Sequence, residues 1–272
     1  MPSWTLVDTH PIQGRTFQRF LDNYELSFLW DGLLNGTADN LQHLELRLKN
    51  GSRNAQLFSE ANIVRAWLST KRRYPLAGAI VRGVDSAPLR VVTGISAGNG
   101  TGLTSTPCFV IREYDLAVLR PQEVVFEKVA SAEDAQRRGA AILDGPRPLS
   151  DELLVQLYVL RETDLKRSDV LHLMILMAHT VTDGVANTTF VRCLLDTLAR
   201  GESAEPAQTP LEERLAMAVP SVDLEPLHLR SLNPAIRRWR RIVGAVIFQL
   251  RMAKRQVRFC FFFLVSYVNK FT

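Results

Sequence analysis

Apolar residues along this chain follow three spacings, and each predicts a different kind of element. In LQHLELRLKNGS, residues 41–52, Leu44, Leu46 and Leu48 alternate with polar neighbours and the run stops at Asn-Gly. That period of two predicts a half-buried strand followed by a turn. In LFSEANIVRAWLSTKRRYP the period lengthens, placing Ile63, Val64, Trp67 and Leu68 on one helical stripe. Ser59 stands near the start of this helix, Lys71, Arg72 and Arg73 suit its negative C-terminal end, and Pro75 stops it. ELLVQLYVLRE (152–162) and LHLMILMAH (171–179) have scarcely any polar interruption. Such runs predict neighbouring strands in the middle of a sheet, joined here by the charged turn DLKRSD.

Shorter segments complete the outline. LAGAIVRG, PLRVVTG, PCFVIREY and EVVFEKV read as strands, and SAGNGTGLTSTP (96–107) as a loop. Ser131 with Asp134 opens a helix through Leu143, closed by Asp-Gly-Pro. Phe190, Val191, Leu194, Leu195 and Leu198 form one face of a later helix that Gly201 ends. ESAEPAQ is a linker, and Thr209-Pro-Leu-Glu212 predicts a helix start with a capping box. Residues 235–255 form a helix with basic ends and an apolar centre, whereas 257–272, with three consecutive phenylalanines, follow no period. Neither apolar run reaches the roughly 18 residues of a membrane span. The sum predicts an α/β fold, a mixed sheet flanked by helices, with a basic C-terminal helix.

Composition adds little until charge is divided along the chain. The 272 residues are 46% hydrophobic and 22% charged, enough for one large or two modest globular domains. Net charge is +5, yet residues 226–272 hold ten Lys/Arg and no Asp/Glu. The first 225 residues therefore carry 23 basic and 28 acidic groups, so the basic character belongs to the tail. A body without spread positive charge argues against nucleic acid as a partner. The basic tail suits peripheral contact with an anionic membrane surface or, better, a crossover helix with a buried centre.

MPSWTLVDTHPIQGRTF lacks a basic start followed by an apolar core, so no secretory signal is expected. Cys108, Cys193 and Cys260 are odd in number and lack metal-ligand spacing. They fit a reducing, cytoplasmic setting as small core residues, with no metal site. N-x-S/T triplets begin at Asn35, Asn50, Asn99 and Asn187.

The candidate chemistry lies in HLMILMAHTVTDGVANTTF, residues 172–190. A strand delivers His179 into a short polar turn, Asp183 and Gly184 follow, and a helix begins. An imidazole, with an ordinary pKa of about 6.5, can take a proton from an attacking hydroxyl or amine at neutral pH. Asp183 is expected to pin the loop through an arginine, and Gly184 to permit a tight bend. Thr182 is a candidate oxyanion or substrate contact. His172, seven residues earlier, falls on the opposite strand face and is expected to be structural. His10, His43 and His228 have no partner at informative spacing, and Trp67 is expected in the core. GISAG (94–98) offers Ser96 as a nucleophile, but NGTGLTSTP cannot readily supply the helix that a nucleophile elbow needs.

The His179–Asp183–Gly184 spacing resembles the HxxxDG signature of the chloramphenicol-acetyltransferase-like superfamily. That group includes BAHD and fungal acetyltransferases, polyketide-associated acyltransferases and condensation domains. RAWLSTKRRYPLAGAIV and DGPRPLSDELLVQLYVL are similar to the family's early helix-to-strand passage and to the strand before the catalytic one, so the resemblance runs from about residue 40 to 203. It implies one half of a two-lobed fold: 1–203 as the N-terminal lobe, 204–256 as linker and crossover helices, 257–272 as an atypical tail. It further implies His179 as general base, structural roles for Asp183 and Gly184, and no bound cofactor. Acyl-CoA, or an acyl-carrier protein, would donate to a small-molecule hydroxyl or amine. Ala178 stands where condensation domains have a first histidine, which favours single-histidine acyltransferases. Two other readings remain: a truncated, non-catalytic remnant that self-associates through the missing-lobe surface, and a serine hydrolase through Ser96.

Overall fold

The computed structural model describes residues 3–12, 14–36, 38–48, 56–84, 106–163, 170–201 and 209–220, with a few positions between 233 and 243. PLRVVTG, Ser96 with its GISAG loop, the DLKRSD turn, the ESAEPAQ linker, most of the 235–255 helix and the 257–272 tail lie outside the described residues.

The two apolar runs become adjacent central strands. β7 (Val155–Glu162) and β8 (Val170–Ala178) pair antiparallel from Val155 opposite Met177 to Arg161 opposite Leu171. β8 is buried at every position. Burial of each Leu, Ile or Met side chain contributes about 1.5–3 kcal/mol, which is why this strand shows no polar alternation. β3 (Asp39–Arg47) lies antiparallel on the other side of β8, and β6 (Val124–Val129) runs parallel to β7. The result is a mixed sheet of order β3-β8-β7-β6, as expected.

Helices close both faces of that sheet. α3 (Ala132–Asp144), capped by Ser131, lies so near that a Cβ on Gly139 would meet Met174 at 3.4 Å and Leu41 at 3.5 Å. On the opposite face α2 (Glu60–Arg73) packs against α4 (Gly184–Arg200), with Trp67 edge-on to Phe190 at 5.6 Å. Ser59 caps α2, and Trp67 is fully buried, both as predicted.

A second sheet extends the expectation. β1 (Thr5–His10), β2 (Gly14–Phe20), β4 (Ile80–Arg82) and β5 (Cys108–Arg112) form an antiparallel sheet of order β1-β2-β5-β4. α1 (Asn23–Asn35) follows β2 and begins with a complete capping box between Asp22 and Glu25. Buried Arg19 on β2 grips the Glu25 carboxyl from Nη1 at 3.0 Å and Nη2 at 2.7 Å, which fixes α1 to the sheet. α5 (Leu211–Met217) returns to the core through Leu211 and Leu215. Its start corrects the sequence expectation: Pro210 is the N-cap and no side chain caps the helix, so the Thr209–Glu212 box does not form.

Candidate functional site

His179 is delivered by backbone pairing. Its N–H donates to the Ala38 carbonyl at 2.8 Å, one step past the end of the β3–β8 ladder, and Val181 N–H turns back to Ala178 O at 3.1 Å. Thr180, buried, donates its hydroxyl to the Glu25 carbonyl of α1 at 2.9 Å, so the loop is tied to that helix. An arginine does clamp a carboxylate beside the loop, but the carboxylate is Asp39: Arg147 meets it in a fork at 2.6 and 2.9 Å. This corrects the expectation for Asp183, which instead caps α4 and accepts from Ala186 N–H at 2.7 Å. Capping satisfies an N–H that the first helical turn leaves open, so no arginine is required. Gly184 is simply the first helical residue. It lacks a positive φ, and a Cβ there would meet nothing within 4 Å, so the chain turns at 178–181 without needing a glycine at 184.

Among the described residues the imidazole has one hydrogen-bond partner, which meets Nδ1. Nδ1 stands 2.6 Å from the Thr182 carbonyl oxygen. A carbonyl only accepts, so Nδ1 carries the hydrogen, and in the neutral ring Nε2 is left with its lone pair. Phe28 of α1 lies parallel to the ring, centroids 4.0 Å apart and planes 15° from coplanar. His179 is half-buried, unlike His172, which is wholly sealed. The Thr182 hydroxyl donates to Asn187 Oδ1 at 2.5 Å. The structure thus gathers His179, Thr182, Asp183 and Gly184 at one strand-to-helix junction, and adds Phe28 and Asn187.

Phe28 escaped sequence reasoning because it comes from a helix some 150 residues earlier. Asn187 left a trace: it is the single polar member of the buried set Phe190, Val191, Leu194 and Leu198 on α4. Burial also removes it as a glycosylation acceptor.

His172 is structural, as predicted, but its partner corrects the reading of His43. His172 Nε2 donates to Glu162 Oε1 at 3.0 Å, and its Nδ1 meets His43 Nε2 at 3.2 Å. Burial and the neighbouring His172 push His43 down to about 4. Spacing could not show this pair, because 129 residues separate two strands that the sheet sets side by side. A cavity of about 390 Å³ between β2 and α5, lined by Trp4, Phe17, Arg19 and Leu215, contains none of the His179 loop. Among the described residues no cluster of three His, Cys, Asp or Glu side chains could hold a metal ion, and no helix is long and apolar enough to cross a membrane.

No protein-family model and no curated protein sequence matches the chain. Solved structures do. TRI3 trichothecene 15-O-acetyltransferase from Fusarium sporotrichioides is similar with a TM-score of 0.57 at 14% identity, over 90% of this chain and 47% of that one. The tallysomycin biosynthesis protein TlmII gives 0.49 at 14% identity, over 84% and 46% of the two chains. The condensation domain of the monacolin K polyketide synthase MokA gives 0.47 at 11%, over 74% and 39%. The chain spans less than half the length of each. With TRI3 carrying the likeness of fold, the chain is an α/β unit, a mixed sheet flanked by helices beside an antiparallel sheet, similar in fold to about half of that acetyltransferase.

Proposed function

We propose that this chain is the histidine-bearing lobe of an acyltransferase that moves an acyl group from acyl-CoA to a small-molecule hydroxyl, with His179 as general base. The observation that carries this reading is the bond from His179 Nδ1–H to the Thr182 carbonyl, which reserves Nε2 of a half-buried ring for a proton. In the reaction Nε2 takes the acceptor's O–H proton as the oxygen bonds to the thioester carbonyl carbon. The tetrahedral oxyanion then collapses, the C–S bond breaks, and the imidazolium returns its proton to the departing thiolate. An amine would follow the same path. Thr182 Oγ1 is committed to Asn187, so it reaches an oxyanion only by exchanging that bond for one to the substrate. Asp183 acts on the helix rather than on the reacting atoms.

The test is thiol release and acyl transfer from acyl-CoA with a panel of alcohols, comparing wild type with His179→Ala. A positioned general base contributes about 10²- to 10⁴-fold, so the variant should lose at least a hundredfold in rate while keeping its melting temperature. Undiminished transfer by His179→Ala would reject the assignment.

A further inference from the structure

Asn187 stands on the apolar face of α4 with 3% of its surface exposed, where a side-chain amide is costly unless bonded. Its Oδ1 takes the Thr182 hydroxyl at 2.5 Å, and its backbone N–H donates to Asp183 O at 2.8 Å in the first turn of the helix. Thr182 is thereby anchored at its side chain to a rigid, buried point. The carbonyl of the same residue is the acceptor for His179 Nδ1. Two bonds in series therefore run from the core of α4 to the imidazole, and Thr182 joins them.

We infer that Asn187 is a positioning residue: through Thr182 it holds His179 in the Nδ1–H tautomer and in one orientation, so that Nε2 is the basic nitrogen. Which ring nitrogen carries the proton is set by the bond the other makes. Without a fixed carbonyl both tautomers are populated, and the Nε2–H form has no lone pair to offer the acceptor. The orientation matters separately, since a displacement of about 1 Å at a reacting group can cost about a hundredfold. This inference rests on the acyltransfer reading for its catalytic meaning, but the tautomer can be observed without turnover.

The experiment uses the full chain with 15N-labelled histidine, the His179 signals being assigned by their loss in His179→Gln. Imidazole nitrogen shifts distinguish a protonated from an unprotonated ring nitrogen. Wild type should show a single Nδ1–H form. Asn187→Leu and Thr182→Val should each yield a mixture of tautomers and lower kcat by about ten- to a hundredfold with KM little changed. Asn187→Asp, which keeps an oxygen acceptor, should restore the single form. The double variant should lose no more than either single one, because both break the same link. Thr182→Val sits in a half-buried loop, so it reports on the link even if Asn187→Leu fails to fold. A ring that stays wholly Nδ1–H in both variants overturns the inference, as does a wild-type ring in the Nε2–H form. Transfer indifferent to His179→Ala rejects the acyltransfer reading instead, and leaves the tautomer result standing.

Discussion

Phe28 presses flat on an imidazole that, among the described residues, is otherwise held by its own backbone and the Thr182 carbonyl. Parallel ring contacts of this kind contribute about 0.5–1.5 kcal/mol. If that energy holds the ring for proton transfer, Phe28→Ala should lower the acyl-transfer rate by up to about tenfold. Phe28→Tyr should preserve it. Rates equal in all three proteins, with equal melting temperatures, would show the stack to be incidental. His179 was legible because one short segment combines a buried strand, a histidine, an Asp-Gly pair and a helix. Phe28 was not, since its role depends on α1 folding back along the loop through Thr180 and Glu25, a contact 155 residues long. The arginine clamp was anticipated in kind but assigned to the wrong carboxylate, because local spacing cannot tell Asp183 from Asp39.

Among the elements, the start of α4 and the seat of α2 carry separate predictions. Asp183 accepts from Ala186 N–H, so Asp183→Ala should destabilise the protein by about 1 kcal/mol, whereas Asp183→Asn, an equally good cap, should cost much less. Denaturant midpoints of the two variants decide this; equal losses would assign Asp183 a role other than capping. α2 is seated by a buried ion pair. Lys71 Nζ lies 2.6 Å from Glu123 and donates to Val118 O at 2.7 Å, while Trp67 Nε1 donates to the same carboxylate at 2.9 Å. Both charged side chains are fully buried, and burial pushes the Lys71 ammonium down against the pull of Glu123. Glu123→Ala would strand that ammonium and leave the indole without its acceptor. A loss of about 3–5 kcal/mol is expected in urea unfolding, and a loss below 1 kcal/mol would contradict this account. Sequence patterning found α2, α3, β7 and β8, whose burial is lopsided or complete, but not β2 or α1, which are lopsided too. It passed over β1, whose six residues are all exposed, so no apolar alternation marks it.

At the scale of the whole molecule, the sheet separates two histidines from one strand into different environments. His179 leaves the strand end half-exposed beside α1 and α4, whereas His172 sits sealed on the α3 face between Glu162 and His43. The His43–His172–Glu162 set couples folding to pH. His43 is held at about 4 in the folded chain by burial and by His172, with Glu45 pulling weakly the other way, against an ordinary value near 6.5. Between those values the unfolded chain binds a proton at His43 that the folded chain refuses. Stability from this group is therefore complete above pH 6.5, falls as pH drops toward 4, and falls no further below that. The half-buried ring keeps some contact with solvent, so the slope should be shallower than that of one whole proton. His43→Gln offers the same N–H to His172 Nδ1 without a titrating group, and should flatten that part of the profile. Unfolding free energies measured from pH 7.5 to 4 in wild type and variant would show it, because carboxylates elsewhere contribute equally to both. Parallel curves over that interval would mean that His43 titrates alike in the folded and unfolded chains, and that the pairing across β3 and β8 exerts no hold on its proton.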